Sequence, residues 1–470
     1  MNVAYVYPWD IVGDPSAPDR LAGLGVEAVA LAASYHSTRA ATPYHPSHRV
    51  LDVPYPAFYL PIRPSSWSRL VPATPTWTPQ DAYLQARDAL KAVGLQVHAW
   101  TVLTHNSHLG TANPDLVVRN AFGDPYPYAL CPAHQDVLEY CERLVEEILT
   151  VGEPDGLILE ACGPMGFGHQ SVHEKTSGAD WTPADSDLLS LCFCTACADR
   201  YPAATRDRVR AAIDRTHPTP TTTTDSAQPI SGPHISATGP AATGPAPTTP
   251  SNTAGTTTSS PTRSSPPTPG NTAGTTTSNT STAGPTTPSN TTTVMASHTT
   301  AASDTTTVGA ATPSTQPLTI EQALGELTDE VRAVRINLSD SLRHRLIAVA
   351  RRTAPNTPIT LHANPNPWAA GAFAPLPSGE PGADVLVANC WGDPATDAAR
   401  LAQLKDLSTP GQRIGAYVLA LPPRPADATV LADQLRTYAK AGATEFHLYH
   451  AGLASPQRLA AIAEAIRQHA

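Results

Sequence analysis

Three thiols stand within six residues in Cys192-Phe193-Cys194-Thr195-Ala196-Cys197, a C-x-C-x-x-C spacing that ordinary core packing does not call for. Such a run supplies soft ligands from one short stretch of chain, and a fourth thiolate would close a tetrahedral zinc site of the structural, non-catalytic kind. Cys131 is the candidate fourth ligand, with His134, His169 and His173 as substitutes; unligated thiols or redox chemistry are the alternatives. The second chemical signal is Glu160. It ends the apolar run Asp155-Gly156-Leu157-Ile158-Leu159. A carboxylate in that place either faces a cleft at a strand end or is buried at a cost on the order of several kcal/mol. Pairing with an Arg or capping a loop is its structural alternative. Glycoside hydrolysis uses two carboxyl groups. The preferred partner is Asp393, in Cys390-Trp391-Gly392-Asp393-Pro394, and the second choice is Asp10. An Asp before Pro is also a common turn residue, so Asp393 carries a structural reading beside the catalytic one.

Aromatic and polar residues accompany these carboxylates. Trp9, Tyr35, Trp368, Trp391 and Tyr449 could stack on the C–H faces of a pyranose, while His36, His105, Asn106, His362, Asn364 and His450 could hydrogen-bond its hydroxyls. The competing explanation is that Trp and Tyr settle wherever one end of the ring is apolar and the other wet. A metal-dependent hydrolase is a third possibility, prompted by His36, His105, His108, His362 and His450. It lacks a recognised ligand spacing, because neither an H-x-H after the first strand nor an H-E-x-x-H occurs.

The elements that must carry these residues are eight short apolar runs, at residues 3–7, 28–32, 96–102, 156–159, 358–362, 385–388, 415–420 and 445–449. Each ends in polar, aromatic or Gly/Pro residues and is followed by helix-period sequence, as at 136–149, 321–353 (with room for a break), 396–407, 428–440 and 456–469. That is the pattern of βα units, and eight is the number that closes a barrel. The expected fold is an α/β (β/α)8 TIM barrel, whose catalytic face gathers the C-terminal ends of the strands. An open doubly wound sheet is the alternative, but no Gly-rich phosphate fingerprint follows the first strand.

Residues 216–317 are almost wholly Thr, Ser, Pro, Ala, Gly and Asn, with Asp225, Arg263 and Asp304 as the strong charges. Such a tract has too little apolar surface to offset backbone ordering, and it is expected to be a disordered insertion between residues 1–215 and 318–470. Loop-closure entropy grows only logarithmically, so one barrel can be completed across it. The formal charge of −10 without a Lys/Arg cluster argues against nucleic acid and anionic membrane as partners and leaves carbohydrates and other neutral small molecules open. Met1-Asn2-Val3-Ala4-Tyr5-Val6-Tyr7 has no basic n-region or apolar leader, so the chain is expected to be cytoplasmic.

Leu130-Cys131-Pro132 before a helix, an apolar strand ending in Glu160, and Cys192-x-Cys194-x-x-Cys197 followed by Ala198-Asp199-Arg200-Tyr201 resemble the zinc-carrying barrel β-galactosidases and related hypothetical glycosyl hydrolases. The likeness covers roughly residues 95–201. It implies Glu160 as the general acid/base and Cys131, Cys192, Cys194 and Cys197 as ligands of a structural zinc. The chain departs from that pattern at Leu159, where the family has Asn, and in Leu419-Ala420-Leu421-Pro422, which has no Glu where the family's nucleophile stands. Either another carboxylate such as Asp393 completes a hydrolytic pair, or the barrel binds a carbohydrate or other small ligand without turning it over.

Overall fold

The eight apolar runs form eight parallel strands that close on themselves. In the computed structural model, which describes residues 1–168, 176–216, 318–376 and 382–469, they are β1 (Asn2–Val6), β2 (Ala28–Tyr35), β3 (Gln96–Val102), β4 (Gly156–Glu160), β5 (Ile359–Asn364), β6 (Val385–Cys390), β7 (Arg413–Leu419) and β8 (Glu445–Tyr449). Each pairs with the next, and β8 pairs with β1 through Asn2 opposite Phe446 and Ala4 opposite Leu448. The fold is therefore a closed (β/α)8 barrel. The β4–β5 pairing sets Leu157 opposite Ile359, so the barrel is completed across the residues between them. Residues 217–317, and with them the expected disordered insertion, lie outside the described residues, as do His169 and His173.

Burial explains why these runs are strands. All eight residues of β2 and all five of β4 are buried, as a strand covered by helices on its outer face requires. The covering helices include α1 (Ala82–Ala92), α2 (Gln135–Glu147), α3 (Thr328–Thr353), α4 (Pro394–Leu407), α5 (Ala428–Lys440) and α6 (Pro456–His469). Gly94, at φ 84°, lets the chain leave α1 in the left-handed region and enter β3. The expected helix over 321–353 is broken: Ile320–Leu324 is one piece, and Gly325, at φ 59°, precedes α3. The loops on the C-terminal face carry elements that periodicity did not announce. After β2 come the hairpin Thr38–Ala41 with Val50–Val53 and the short strand Ala57–Phe58, which runs antiparallel to β2. After β3 come the helix Ser107–Ala112 and the hairpin Val117–Arg119 with Pro125–Leu130. Among the described residues no helix is long and apolar enough to cross a membrane.

The barrel interior is more polar than the branched aliphatic layers that usually fill one. Tyr5, His98, His362, Glu445 and His447 are all buried there, at 4% exposure or less. Glycines make room for the rings: a Cβ on Gly156 would lie 2.7 Å from His98 Cδ2, and one on Gly415 would lie 3.2 Å from His447 Cδ2. Gly156→Ala is accordingly expected to displace the His98 ring and lower stability by about 1–3 kcal/mol. Urea unfolding checks this, and an unchanged midpoint would mean that the ring yields freely.

Candidate active site

Glu160 ends β4 as a buried residue, 6% exposed. Trp100 Nε1 donates to Glu160 Oε2 at 2.6 Å, and His362 Nδ1 lies 3.4 Å from the same oxygen, at ion-pair distance without a hydrogen bond. Burial alone would raise the Glu160 pKa. The His362 and Trp100 contacts and the nearby His36 more than offset it, and they hold the carboxyl below its usual range. Glu160 is thus built to be an anion.

Aromatic rings surround that charge. Tyr35 packs edge-on against Tyr7 and Trp100, with centroids 4.9 and 4.5 Å away, and stacks on His36 at 4.1 Å; His36 in turn stacks on His105 at 4.5 Å. Trp9 stacks on Tyr7 at 4.4 Å, and His450 tilts over the same ring at 4.3 Å. Trp391 lies against Tyr417 and Tyr449, at 5.5 and 4.9 Å. The hydroxyls of Tyr7, Tyr35 and Tyr449 interact with one another. Burial, followed by neighbouring charge that includes Glu160, keeps Tyr5, Tyr35 and Tyr417 as neutral phenols, and burial does the same for Tyr449 against the lowering effect of its Tyr7 and Tyr35 hydrogen bonds. Burial also drives His450 down to about 3, so its ring is neutral. Both ring nitrogens of His450, together with Trp9 Nε1, Trp391 Nε1 and Asp10 Oδ1, are buried without a protein hydrogen-bond partner. Buried polar atoms are rarely left so, and these are groups that a polar ligand could satisfy.

The two candidate partners of Glu160 differ. Asp393 caps α4: its Oδ2 accepts from Ala395 N at 3.1 Å, Thr396 N at 3.0 Å and Thr396 Oγ1 at 3.2 Å, and the residue is exposed. Hydrogen bonds from the Thr396 amide and its neighbours keep its carboxyl below the usual range. Asp393, the preferred second carboxyl, thus serves as a helix cap, because Asp before Pro at a helix start meets the unpaired amides of the first turn. Asp10 is buried beside the turn after β8, where a Cβ on Gly452 would fall 1.8 Å from its Oδ2. Burial raises its pKa to about 7, against the lowering effects of the Tyr7 amide, which donates to Oδ2 at 2.8 Å, and of the Arg20 charge. Tyr449 feels the charges of both Glu160 and Asp10, which places its hydroxyl within electrostatic reach of each.

Other sequence candidates are spent on structure. Asn106 caps the helix Ser107–Ala112 by accepting from Leu109 N at 2.9 Å, and Asn364 Oδ1 accepts from Asn366 N at 2.9 Å. Trp368 is buried, donates to Glu321 Oε1 at 2.6 Å and lies beneath Arg332, so it is a packing residue and not a platform beside Glu160. His362 points into the barrel. Sequence reasoning missed Tyr7, which directly follows β1, and Tyr5, Trp100, Tyr417 and His447, which stand inside strands and not at their ends. Their signal was alternation: in Gln96-Val97-His98-Ala99-Trp100 the polar and aromatic positions recur every second residue and share one face of β3.

Beside this site the sulfurs of Cys131, Cys192, Cys194 and Cys197 lie within 4.8 Å of one another, all buried. Cys131 Sγ is 3.8, 3.7 and 3.5 Å from those of Cys192, Cys194 and Cys197. A tetrahedron of thiolates at about 2.3 Å from a zinc ion has edges of about 3.8 Å, so the donor set fits such an ion. Cys131 follows the hairpin of the β3 loop and the other three belong to the β4 loop, so an ion would tie together the two loops that flank Glu160.

Fold and site together define a (β/α)8 barrel with a buried, ionised carboxylate in an aromatic cage at the C-terminal end of β4. No protein-family model matches the chain, and no curated protein matches it. Solved structures similar to it include glycoside hydrolases. They include alpha-L-fucosidase isoenzyme 2 from Paenibacillus thiaminolyticus, with a TM-score of 0.45 and 10% identity over 99% of this chain and 49% of that one. Others are the catalytic domain of beta-amylase from Paenibacillus polymyxa (0.46, 11%, covering 99% and 97%) and the PgaB (BpsB) glycoside hydrolase domain from Bordetella bronchiseptica (0.46, 14%, covering 99% and 97%). The chain spans about half the length of the fucosidase. At these identities the likeness concerns chain path and not activity.

Proposed function

We propose that the chain is a glycoside hydrolase acting on small oligosaccharides or glycoconjugates, with Glu160 as its reacting carboxylate and Asp10 as its proton donor. The observation that carries this reading is the environment of Glu160, an anion held by Trp100 and His362 within a cage of tyrosines. A fixed negative charge suits an oxocarbenium-like transition state, either by attack or by electrostatic stabilisation. The protonated form of Asp10 persists to about pH 7, whereas Glu160 is ionised below its usual range. Two carboxyls pushed apart in this way have divided roles. The resemblance to the zinc-carrying β-galactosidases made Glu160 the acid/base; its electrostatics favour the anionic role. In this reading Cys131, Cys192, Cys194 and Cys197 hold a structural zinc, and Trp9, Tyr35, His36, His105, Trp391, Tyr449 and His450 meet the sugar.

The sign of the pH dependence follows. Activity requires Glu160 ionised and Asp10 protonated, so it is expected to rise with pH through an acid limb below 4.5 and to fall again through about 7. Asp10→Asn is expected to remove the alkaline limb and to lower kcat by a factor of about 100 or more. A pH–rate profile of the two proteins tests the assignment, and an unaltered alkaline limb in Asp10→Asn would reject Asp10 as the acid.

A second reading is a carbohydrate-binding barrel without turnover. It is favoured by the packing of tyrosine, tryptophan and histidine rings that leaves Glu160 only 6% exposed. Binding of unhydrolysed sugars with no bond cleavage would identify it.

A further inference from the structure

Three arginines grip the backbone of the cysteine loop. Arg335 Nη1, on α3, donates to Ser190 O at 3.0 Å; Arg206 Nη2 donates to Phe193 O at 3.0 Å; and Arg200 Nε donates to Ala196 O at 2.8 Å. Ser190 precedes Cys192, Phe193 separates Cys192 from Cys194, and Ala196 lies between Cys194 and Cys197. Positive charge is thus delivered along the whole C-x-C-x-x-C run. Arg335 gives its other hydrogen bonds to Trp368 O at 3.3 Å and Ala369 O at 3.0 Å, and Arg206 lies 5.2 Å over the Phe193 ring. Among the described residues none of the three forms an ion pair with a carboxylate.

Their surroundings differ in a way that matters. Arg200 and Arg206 are exposed, whereas Arg335 is 2% exposed and its Nε has no partner. A guanidinium does not give up its proton in a protein, so a buried one calls for an anion within reach. Burial pushes Arg335 below its ordinary value, and the charges that oppose this are those of Tyr201, Asp187, Cys192 and Cys197. Tyr201 stays a phenol, because burial and then the charge of Cys197 raise it. Asp187 is an anion only above about 6, the value to which burial pushes its carboxyl. The cysteines remain. Four thiolates around one divalent ion form a dianion, which in a buried place calls for cations as Arg335 calls for an anion.

We propose that Arg200, Arg206 and Arg335 are positioning residues that supply the counter-charge of a four-thiolate zinc centre and thereby set its affinity for the ion. The inference rests on the zinc reading of Cys131, Cys192, Cys194 and Cys197 and takes it further, to the cations around the ligands. Through Trp368 O and Ala369 O, Arg335 also ties the cysteine loop to the loop after β5. The plainer alternative is that the three arginines only brace carbonyls. The two roles separate by their response to salt. Mobile ions screen the exposed charges of Arg200 and Arg206, because the Debye length falls to about 3 Å at 1 M, whereas a brace that acts by shape is indifferent to them.

The test measures zinc binding and does not use turnover. Zinc dissociation constants are obtained by competition with a chromogenic chelator for the unaltered protein, Arg200→Gln, Arg206→Gln and Arg335→Met, with the fold of each zinc-loaded form verified by circular dichroism. Gln keeps an amide donor and removes the charge. Each Gln variant is expected to bind zinc more weakly by a factor of about 3–10, and Arg335→Met by about 100. The gap between the Gln variants and the unaltered protein is expected to narrow as salt rises to about 1 M. Arg467→Gln, which removes an exposed arginine of α6 paired with Glu464, is expected to leave the affinity as it was. Affinity unchanged in both Gln variants, or a loss that salt leaves untouched, would overturn the counter-charge role alone. An unaltered protein that takes up no zinc would overturn the zinc reading and this role together. If Arg335→Met does not fold, the two Gln variants decide.

Discussion

Cys192→Ser is expected to abolish stoichiometric zinc binding and to destabilise the barrel by more than about 3 kcal/mol. Four buried sulfurs within 4.8 Å of one another, with Cys131 3.5–3.8 Å from each of the others, suit such an ion, which would draw its ligands from two different βα loops. Phe193 N donates to Arg119 O at 2.6 Å, so the same two loops are also joined by backbone. Loss of the ion leaves buried thiolates without a counter-charge, and the loops separate or the thiols protonate. Metal analysis by mass spectrometry, paired with thermal unfolding, checks both halves of the expectation. One zinc per chain in the unaltered protein and none in Cys192→Ser fits a four-thiolate centre; a second ion lost with His36 or His105 substitutions would instead restore the metal-hydrolase alternative.

Glu160→Gln is expected to lower turnover by a factor of about 1,000 or more while leaving the fold intact. Gln keeps the size of Glu and can still accept from Trp100 Nε1, so the aromatic cage has no steric cause to rearrange. What is lost is the charge, which the oxocarbenium-like transition state needs and the neutral ground-state sugar does not. Kinetically this appears in kcat with KM little altered. A loss confined to KM would make Glu160 a binding residue.

Much of the architecture was legible because parallel strands buried on both faces must be continuous apolar runs. The runs at residues 96–102 and 445–449 coincide with β3 and β8, and the others differ by one to three residues at an end. The hairpins after β2 and β3 were not legible, since short, half-exposed pairs such as Thr38–Ala41 with Val50–Val53 lack a buried face to impose alternation. The cysteine cluster was legible because close spacing of one rare residue type is seldom accidental. Glu160 stood out for a related reason, as a charge at the end of an apolar run. Asp393 was ambiguous: past a strand end and followed by Pro it satisfies equally the pattern of a reacting group and that of a helix cap, and its hydrogen bonds to Ala395 and Thr396 show the cap. Tyr5, Trp100 and His447 were hidden by the assumption that chemistry gathers only where strands end. Polar residues at alternate positions inside a barrel strand face the axis, and here that axis carries the line of groups behind Glu160.

The most direct test of the central claim is hydrolysis of a broad panel of aryl glycosides and natural oligosaccharides by the purified protein and by Glu160→Gln, with the fold of each verified by circular dichroism. Cleavage of at least one substrate by the unaltered protein, lost in Glu160→Gln, is the expected result. Sugar binding without cleavage of any panel member, equal in both proteins, would contradict a glycosidase and establish the barrel as a binding protein.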